Sequence, residues 1–283
     1  MIKLSDIHFR YKKKKPLFDN LNLTLQPGFI YGLLGKNGAG KSSLLKHISG
    51  LLYPDSGHCN VFGYEASARK PEMLQDVYLI PEEFNLPPLS MASFVKISAV
   101  FYPKFSHNQL QAYLAEFELD EAARLSTLSY GQKKKFLIAF GLATNARVLL
   151  MDEPTNGLDI PSKSQFRKIM AAALDEDKII IISTHQVRDL ENLIDNVVVL
   201  ESGQIIFNHN IAEISEKLAF EHNLAGIPTD EVLYAEEMQG RKAGIVKNLA
   251  GQDSRIDLEL LFNGIVKNAA SINDHFANYK YEY

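Results

Sequence analysis

Gly35-Lys-Asn-Gly-Ala-Gly40-Lys41-Ser42 follows the apolar run Phe29–Leu34 and precedes Leu44, Leu45 and Ile48, an apolar stripe at helical spacing closed by Gly50 and Pro54. The stretch fits G-x-x-x-x-G-K-[ST], and its place between a strand and a helix gives the pattern its meaning. Glycines let backbone N–H groups turn inward around anionic oxygens, and a helix N-terminus adds positive potential. In such a cradle Lys41 would neutralise the β- and γ-phosphates of a nucleotide, and the Ser42 hydroxyl would ligate Mg²⁺.

Working outward, Ile2–Phe9 partly alternates apolar and polar residues. Leu21, Leu23 and Leu25 alternate strictly before a Pro27-Gly28 turn. Both segments read as half-buried strands. Further along, Ser90 and Ser106 are placed to cap two helices. One would carry Phe94, Val95 and Ile97, the other Leu110, Tyr113, Leu114 and Phe117. No strand pattern is visible between Glu82 and Ser129, which predicts helices inserted into an α/β core. Val148–Met151, Ile179–Ile182 and Val197–Leu200 then read as buried strands. Helical stretches separate the first two, as βαβ units require. After Gln204, Ile211–Phe220 reads as a helix, Val232–Glu236 and Gly244–Leu249 as strands, and Asp257–Ala269 as a helix. Gly244-Ile-Val-Lys-Asn recurs at Gly264-Ile-Val-Lys-Asn with different flanks. Solenoids need several repeats, so the recurrence reads as coincidence.

Val148–Met151 ends in Asp152-Glu153. A buried strand closing on two carboxylates is costly unless a cation or a proton transfer uses them. Asp152 would hold Mg²⁺ through water, and Glu153 would orient and deprotonate an attacking water. His185 follows Ser183-Thr184 at the C-terminal end of a parallel strand, where open α/β sheets bind ligands. From there it could contact a γ-phosphate. Val77–Ile80 is a further apolar run and ends at Pro81-Glu82. Leu128-Ser129-Tyr130-Gly131-Gln132, followed by Lys133, Lys134 and Lys135, has no role in a single nucleotide pocket. Alone it reads as a helix cap with a solvated basic face.

Composition narrows the function classes. The 283 residues are 46% apolar and 23% charged, which fits a well-cored globular protein and excludes a disordered or collagen-like one. A formal charge of −4 disfavours a general nucleic-acid binder. One cysteine, Cys59, allows no intrachain disulfide and no cysteine-based zinc site. Met1–Lys15 lacks the apolar stretch of a signal peptide. Phe136–Met151 is too short to span a bilayer and is interrupted by Thr144, Asn145 and Arg147.

Taken in order, these motifs resemble the ATP-binding subunit of ABC transporters, over roughly Met1–Gly203. The resemblance implies an α/β fold: a P-loop NTPase core with a mostly parallel sheet and an N-terminal antiparallel β subdomain. A helical subdomain is inserted at about 83–135, and a small α+β extension occupies 205–283 after an ATP-binding domain of 1–204. It implies that Tyr11 stacks on adenine, that Gly35, Lys36, Asn37, Gly38, Ala39, Gly40, Lys41 and Ser42 form the Walker A loop, and that Ser43 beside it also binds the nucleotide. Glu82 stands at the Q-loop position, with Glu83 next to it, and would join Ser42 and Asp152 at Mg²⁺. Val148–Glu153 is the Walker B strand, Asn156–Asp159 the D-loop, and His185 the switch histidine. Glu153, His185 and Lys41 would carry catalysis. Ser129, Gly131 and Gln132 belong to the signature segment, which in the family caps ATP bound to the other subunit; Asp159 would add to the same nucleotide site. The sequence departs from the family at Glu82, where glutamine is usual, at Tyr130, where the signature has a glycine, and at Asn156, where serine is common.

The implied protein hydrolyses Mg-ATP at a head-to-tail dimer interface, with itself or a paralogous ATPase subunit as partner. Hydrolysis would drive transport, in the export direction, through a separate integral membrane permease. Its place would be cytoplasmic, peripheral on the inner face of the membrane, with no nucleic acid as partner. Asp257–Phe262 loosely resembles the tails of exporter-type subunits, and the extension reads as a packing or dimer-supporting appendage. A soluble ABC-type ATPase acting on ribosomes or DNA is the alternative, disfavoured by the single cassette and the absence of sustained heptads. A regulatory binder that holds ATP without turnover is disfavoured by Asp152, Glu153 and His185. Lys12–Lys15 and Lys133–Lys135 read as solvated faces.

Overall fold

A computed structural model describes residues 1–12, 15–238, 241–249 and 254–278; Lys13 and Lys14 of the first basic run lie outside these. The chain opens with β1 (Ile2–Phe9), β2 (Phe18–Leu25) and β3 (Phe29–Leu34), then α1 (Lys41–Ile48), β4 (Ser56–Val61) and β5 (Tyr64–Glu65). A helical turn α2 (Pro71–Leu74) leads to β6 (Val77–Ile80). Three helices follow without an intervening strand: α3 (Met91–Ser98), α4 (His107–Glu116) and α5 (Tyr130–Ala143). The α/β pattern resumes with β7 (Val148–Asp152), α6 (Ile160–Ala173), β8 (Ile179–Thr184), β9 (Asn196–Glu201) and β10 (Gln204–Asn210). The remainder is α7 (Ile211–Lys217), β11 (Leu218–Glu221), β12 (Val232–Met238), β13 (Arg241–Lys247) and α8 (Leu258–Asn278).

The central sheet has the order β10-β9-β3-β8-β7-β6. Its strands run parallel except β10, which pairs antiparallel with β9. The inner strands β9, β3, β8 and β7 are buried on both faces, as parallel sheets require. Along β8, Ile179 and Ile181 pack into the core shared with α1 and the β1–β4 region, while Ile180 and Ile182 face the core shared with α5 and α6. Val148 and Leu150 of β7 take the first face, and Leu149 and Met151 the second. An antiparallel sheet, β2-β1-β4-β5, lies against the first face. The sequence pattern did not foresee β4 and β5, because Ser56-Gly-His-Cys-Asn-Val has little apolar alternation.

Ser90 and Ser106 cap α3 and α4 as expected, each side chain accepting from a backbone N–H three residues on. Between Glu82 and Ser129 the only pairing among the described residues is an isolated bridge, Ser90 with Arg124. The helix expected over Ile211–Phe220 ends instead at Lys217. Leu218 and Phe220 turn into a strand that pairs with Lys247 and Ile245 in the sheet β11-β13-β12. Tertiary pairing has overridden local helical spacing there. β13 begins at Arg241 and stops at Lys247, earlier at both ends than Gly244–Leu249. α8 lengthens to Asn278 and kinks at Asn268.

Candidate functional site

The parallel register fixes the site. Leu34 lies opposite Thr184, and Asp152 opposite Ser183. Ile80 lies opposite Met151. The C-terminal ends of β3, β8, β7 and β6 therefore carry the Gly35 loop, His185, Asp152-Glu153 and Glu82 to one edge of the sheet. There they line a cavity of about 590 Å³ with Tyr11, Lys36, Asn37, Gly38, Gly40, Lys41, Ser42 and Ser43. Gly35 and Ala39 belong to the loop but not to the cavity wall.

The loop is shaped by close approach. A Cβ on Gly35 would stand 2.4 Å from the Leu200 carbonyl oxygen. Gly40 takes φ +112° at the N-cap of α1, and a Cβ there would meet the Phe18 ring at 2.7 Å. No side chain caps α1, and its first turn holds no acidic residue. The terminal N–H groups stay available for an anion, which the helix dipole favours. Lys41 is 6% exposed. Its Nζ donates to Gly35 O at 2.7 Å and lies 3.7 Å from Glu153 Oε1. Burial lowers its pKa, opposed first by Glu153, then by Asp152 and Glu82. Tyr11 and Ser43 share a hydrogen bond of 2.9 Å between their hydroxyls, holding the Tyr11 ring at the cavity wall.

Glu153 is buried and takes a left-handed backbone, φ 46°. Its Oε1 accepts from His185 N–H at 3.0 Å and lies 2.8 Å from His185 Nδ1. Its Oε2 accepts from Thr184 Oγ1 at 3.0 Å. Asp152 accepts from the Ser183 hydroxyl at 2.5 Å. Ser183 and Thr184 thus orient the two carboxylates, a role the sequence reading did not give them. Lys15, Pro16 and Leu17 also line the cavity and were missed, since a lysine-rich turn carries no phosphate-binding pattern.

Ser129, Gly131, Gln132 and Asp159 stand apart from the cavity. Ser129 and Gln132 form a reciprocal capping box on α5. Asp159 caps α6 by accepting from Ser162 N–H at 2.9 Å. That hydrogen bonding holds its carboxyl below the usual range. The expectation of a solvated basic face after Gln132 fails at Lys134, which is fully buried. The two departures at Tyr130 and Glu82 meet each other. Tyr130 Oη donates to the Glu82 carbonyl at 2.6 Å, and its ring stacks on Phe84 at 5.1 Å. Asn156 Nδ2 donates to Glu82 Oε1 at 3.3 Å.

The donor set fits a phosphorylated ligand with a hard cation. An uncapped helix end and a buried lysine face Glu82, Asp152, Glu153 and the Ser42 hydroxyl. Among the described residues no group of three or more His, Cys, Asp or Glu could hold a metal ion by itself. Mg²⁺ commonly takes one or two protein carboxylates and completes its shell from phosphates and water, which suits this arrangement.

The profile of the ABC transporter family matches residues 18–156. The chain is 32% identical over 217 residues to the Nod factor export ATP-binding protein I of Burkholderia lata, covering 72% of this chain and 70% of that one. It is 28% identical over 278 residues to the bacitracin transport ATP-binding protein BcrA of Bacillus licheniformis, covering 94% and 90%. A solved ATP-binding subunit of an ABC transporter superposes with TM-score 0.69 at 24% identity, covering 76% of this chain and 91% of that one. A bacterial ABC transporter cassette solved as a dimer gives 0.66 at 22% identity, covering 74% and 98%, so the likeness in fold extends through the whole cassette.

Proposed function

The chain belongs to the ABC transporter family of ATP-binding proteins, and we propose that it is the subunit that powers an exporter through a separate membrane permease. It is an ATP hydrolase of that family. The observation that carries the reading is the convergence of Lys41, Ser42, Glu82, Asp152, Glu153 and His185 on one cavity, while Ser129 and Gly131 lie outside it. A site completed by a second subunit accounts for both facts.

In this reading the Gly35–Ser43 loop and the α1 N-terminus hold the phosphates, and Tyr11 stacks on the base. Ser42, Asp152 and Glu82 would hold Mg²⁺, which when bound stabilises charge on the β- and γ-phosphates. Glu153 takes the proton of the attacking water as the new P–O bond forms and the bond to ADP breaks. His185, held at Glu153 Oε1, fixes that carboxylate and faces the γ-phosphate. Ser129 and Gly131 cap the nucleotide of the opposing subunit, with Gln132 holding the cap and Asp159 the adjoining D-loop. Lys36 lies at the rim of the same loop.

Among the described residues no helix is long and apolar enough to cross a membrane; in this reading a separate permease supplies the transport path. The loop from Glu82 to Pro88 and the exposed Val100 (73%) and Phe101 (71%) offer the surface for it. We place the subunit on the cytoplasmic face of the membrane. The relative from Burkholderia lata supports export. A methionine import protein of Carboxydothermus hydrogenoformans is also 33% identical, over 73% of this chain and 64% of that one. BcrA aligns across the C-terminal extension as well.

The test has two parts. Lys41→Ala should abolish steady ATP turnover. The tagged protein, recovered from gently solubilised membranes, should bring down a stoichiometric partner with several runs of about 20 apolar residues. Recovery only from the soluble fraction with ribosomes or nucleic acid would refute the transport reading.

A further inference from the structure

Lys134 lies one helical turn beyond Tyr130 on α5, on the same side. It is 0% exposed. A buried ammonium is costly unless hydrogen-bonded and matched by charge, and an apolar side chain would fill such a space more cheaply. Its Nζ donates to the backbone carbonyl of Glu82 at 3.2 Å and to that of Glu153 at 3.2 Å. The rings of Phe84 and Tyr130 each lie 5.5 Å from it. One ammonium therefore joins the end of β6 to the end of β7. It grips both residues by their main chain and leaves their carboxylates facing the cavity. The peptide N–H of Glu153 is held as well, donating to Ser183 O at 3.0 Å. Glu82, Asp152 and Glu153 line a cavity whose buried cation is Lys41. Burial lowers the pKa of Lys134, opposed first by Glu82, then by Asp152 and Glu153.

We infer that Lys134 is a positioning residue for hydrolysis: it pins Glu82 and Glu153 to one point and offsets the negative charge that Glu82 adds where the family has a glutamine. The inference rests on the reading of Glu82 and Glu153 as working carboxylates. Lys134 does not line the cavity, so it acts through those two residues and not on the nucleotide.

The two functions are separable by substitution. Lys134→Gln keeps an N–H donor and removes the charge. Lys134→Met removes both, and Lys134→Arg keeps both. Each is made in the full chain, alone and with Glu82→Gln. Lys134→Gln should lower kcat about tenfold or more, because the Glu82 charge is then left unopposed where negative charge builds up in the transition state. Binding of a fluorescent ATP analogue in EDTA should change less than about threefold. Combined with Glu82→Gln, the same substitution should cost less than about threefold relative to Glu82→Gln alone. Lys134→Met should stay slow in both backgrounds and speed amide exchange at residues 153–157 of the nucleotide-free protein. Should Lys134→Met fail to fold, Lys134→Gln and Lys134→Arg decide the matter. Equal losses for Lys134→Gln in both backgrounds, or none in either, overturn the inference. If Glu153→Gln hydrolyses ATP like the unaltered protein, the inference falls together with the reading it rests on. An inactive Glu153→Gln beside a fully active Lys134→Gln sinks the inference alone.

Discussion

Glu153 is held by His185, Thr184 and Lys41 at once, and its backbone sits in the left-handed region. Such a conformation in a non-glycine residue stores strain, and here it stands at the wall of the proposed ATP site. Glu153→Gln keeps the side-chain shape and removes the base, so kcat should fall about 10²- to 10⁴-fold with nucleotide binding kept. A turnover assay beside a binding titration checks this. Cys59, the only cysteine, is buried against the first core, and burial, with Glu65 nearby, pushes its thiol up to about 12. At pH 8 it stays protonated and shielded, so a thiol reagent should react only after denaturation. Rapid native labelling would contradict that packing. That these carboxylates and the glycine–lysine loop meet at one cavity was legible residue by residue, because their types and spacing form a recognisable pattern. The orienting hydroxyls of Ser183 and Thr184 were not, because a serine or threonine at a strand end fits many roles. Lys134 was misread for a related reason: three lysines in a row look solvated until the tertiary fold buries the middle one.

Among the elements, strands buried on both faces were plain in the sequence, since Ile179–Ile182 and Val148–Met151 need no alternation. Elements fixed by pairing were not. The pentapeptide Gly-Ile-Val-Lys-Asn sits in and just after β13 at Gly244–Asn248 and within α8 at Gly264–Asn268. Its conformation is set by neighbours: Ile245 pairs with Phe220, and Ile265 packs in the core. Three predictions belong at this scale. Gly35→Ala drives a Cβ toward Leu200 O and should lower the melting temperature and weaken nucleotide binding together. Ser129→Ala removes the capping box of α5 and should cost about 1 kcal/mol of stability by denaturant titration. By contrast, Arg188→Ala breaks only the exposed pair with Glu259 and should cost less than about 1 kcal/mol.

At the scale of the molecule, the core sheet runs on past Gly203, because β10 is hydrogen-bonded to β9. The C-terminal extension packs onto that sheet. Phe276 meets Phe207 at 5.4 Å, and Asn273 Nδ2 donates to Ile206 O at 2.9 Å. Leu260, Leu261, Ile265 and Ile272 of α8 join the same core as Ile180 and Ile182. Each such side chain contributes about 1.5–3 kcal/mol when fully buried. A chain ended after Asn210 should therefore melt well below the full chain or precipitate; unchanged melting would show that the extension is a passive tail. Arg188, three residues after His185, is bound to Glu259 at the start of α8, so the extension touches the segment that carries the histidine.

The central claim is that one chain holds half of each ATP site, with Ser129 and Gly131 completing the site of a second subunit. Light scattering on Glu153→Gln with saturating Mg-ATP tests it most directly. The account predicts a monomer without nucleotide and a dimer with it, and loss of that dimer on adding Ser129→Arg. A protein that binds Mg-ATP fully and stays monomeric would contradict pairing of this chain with itself.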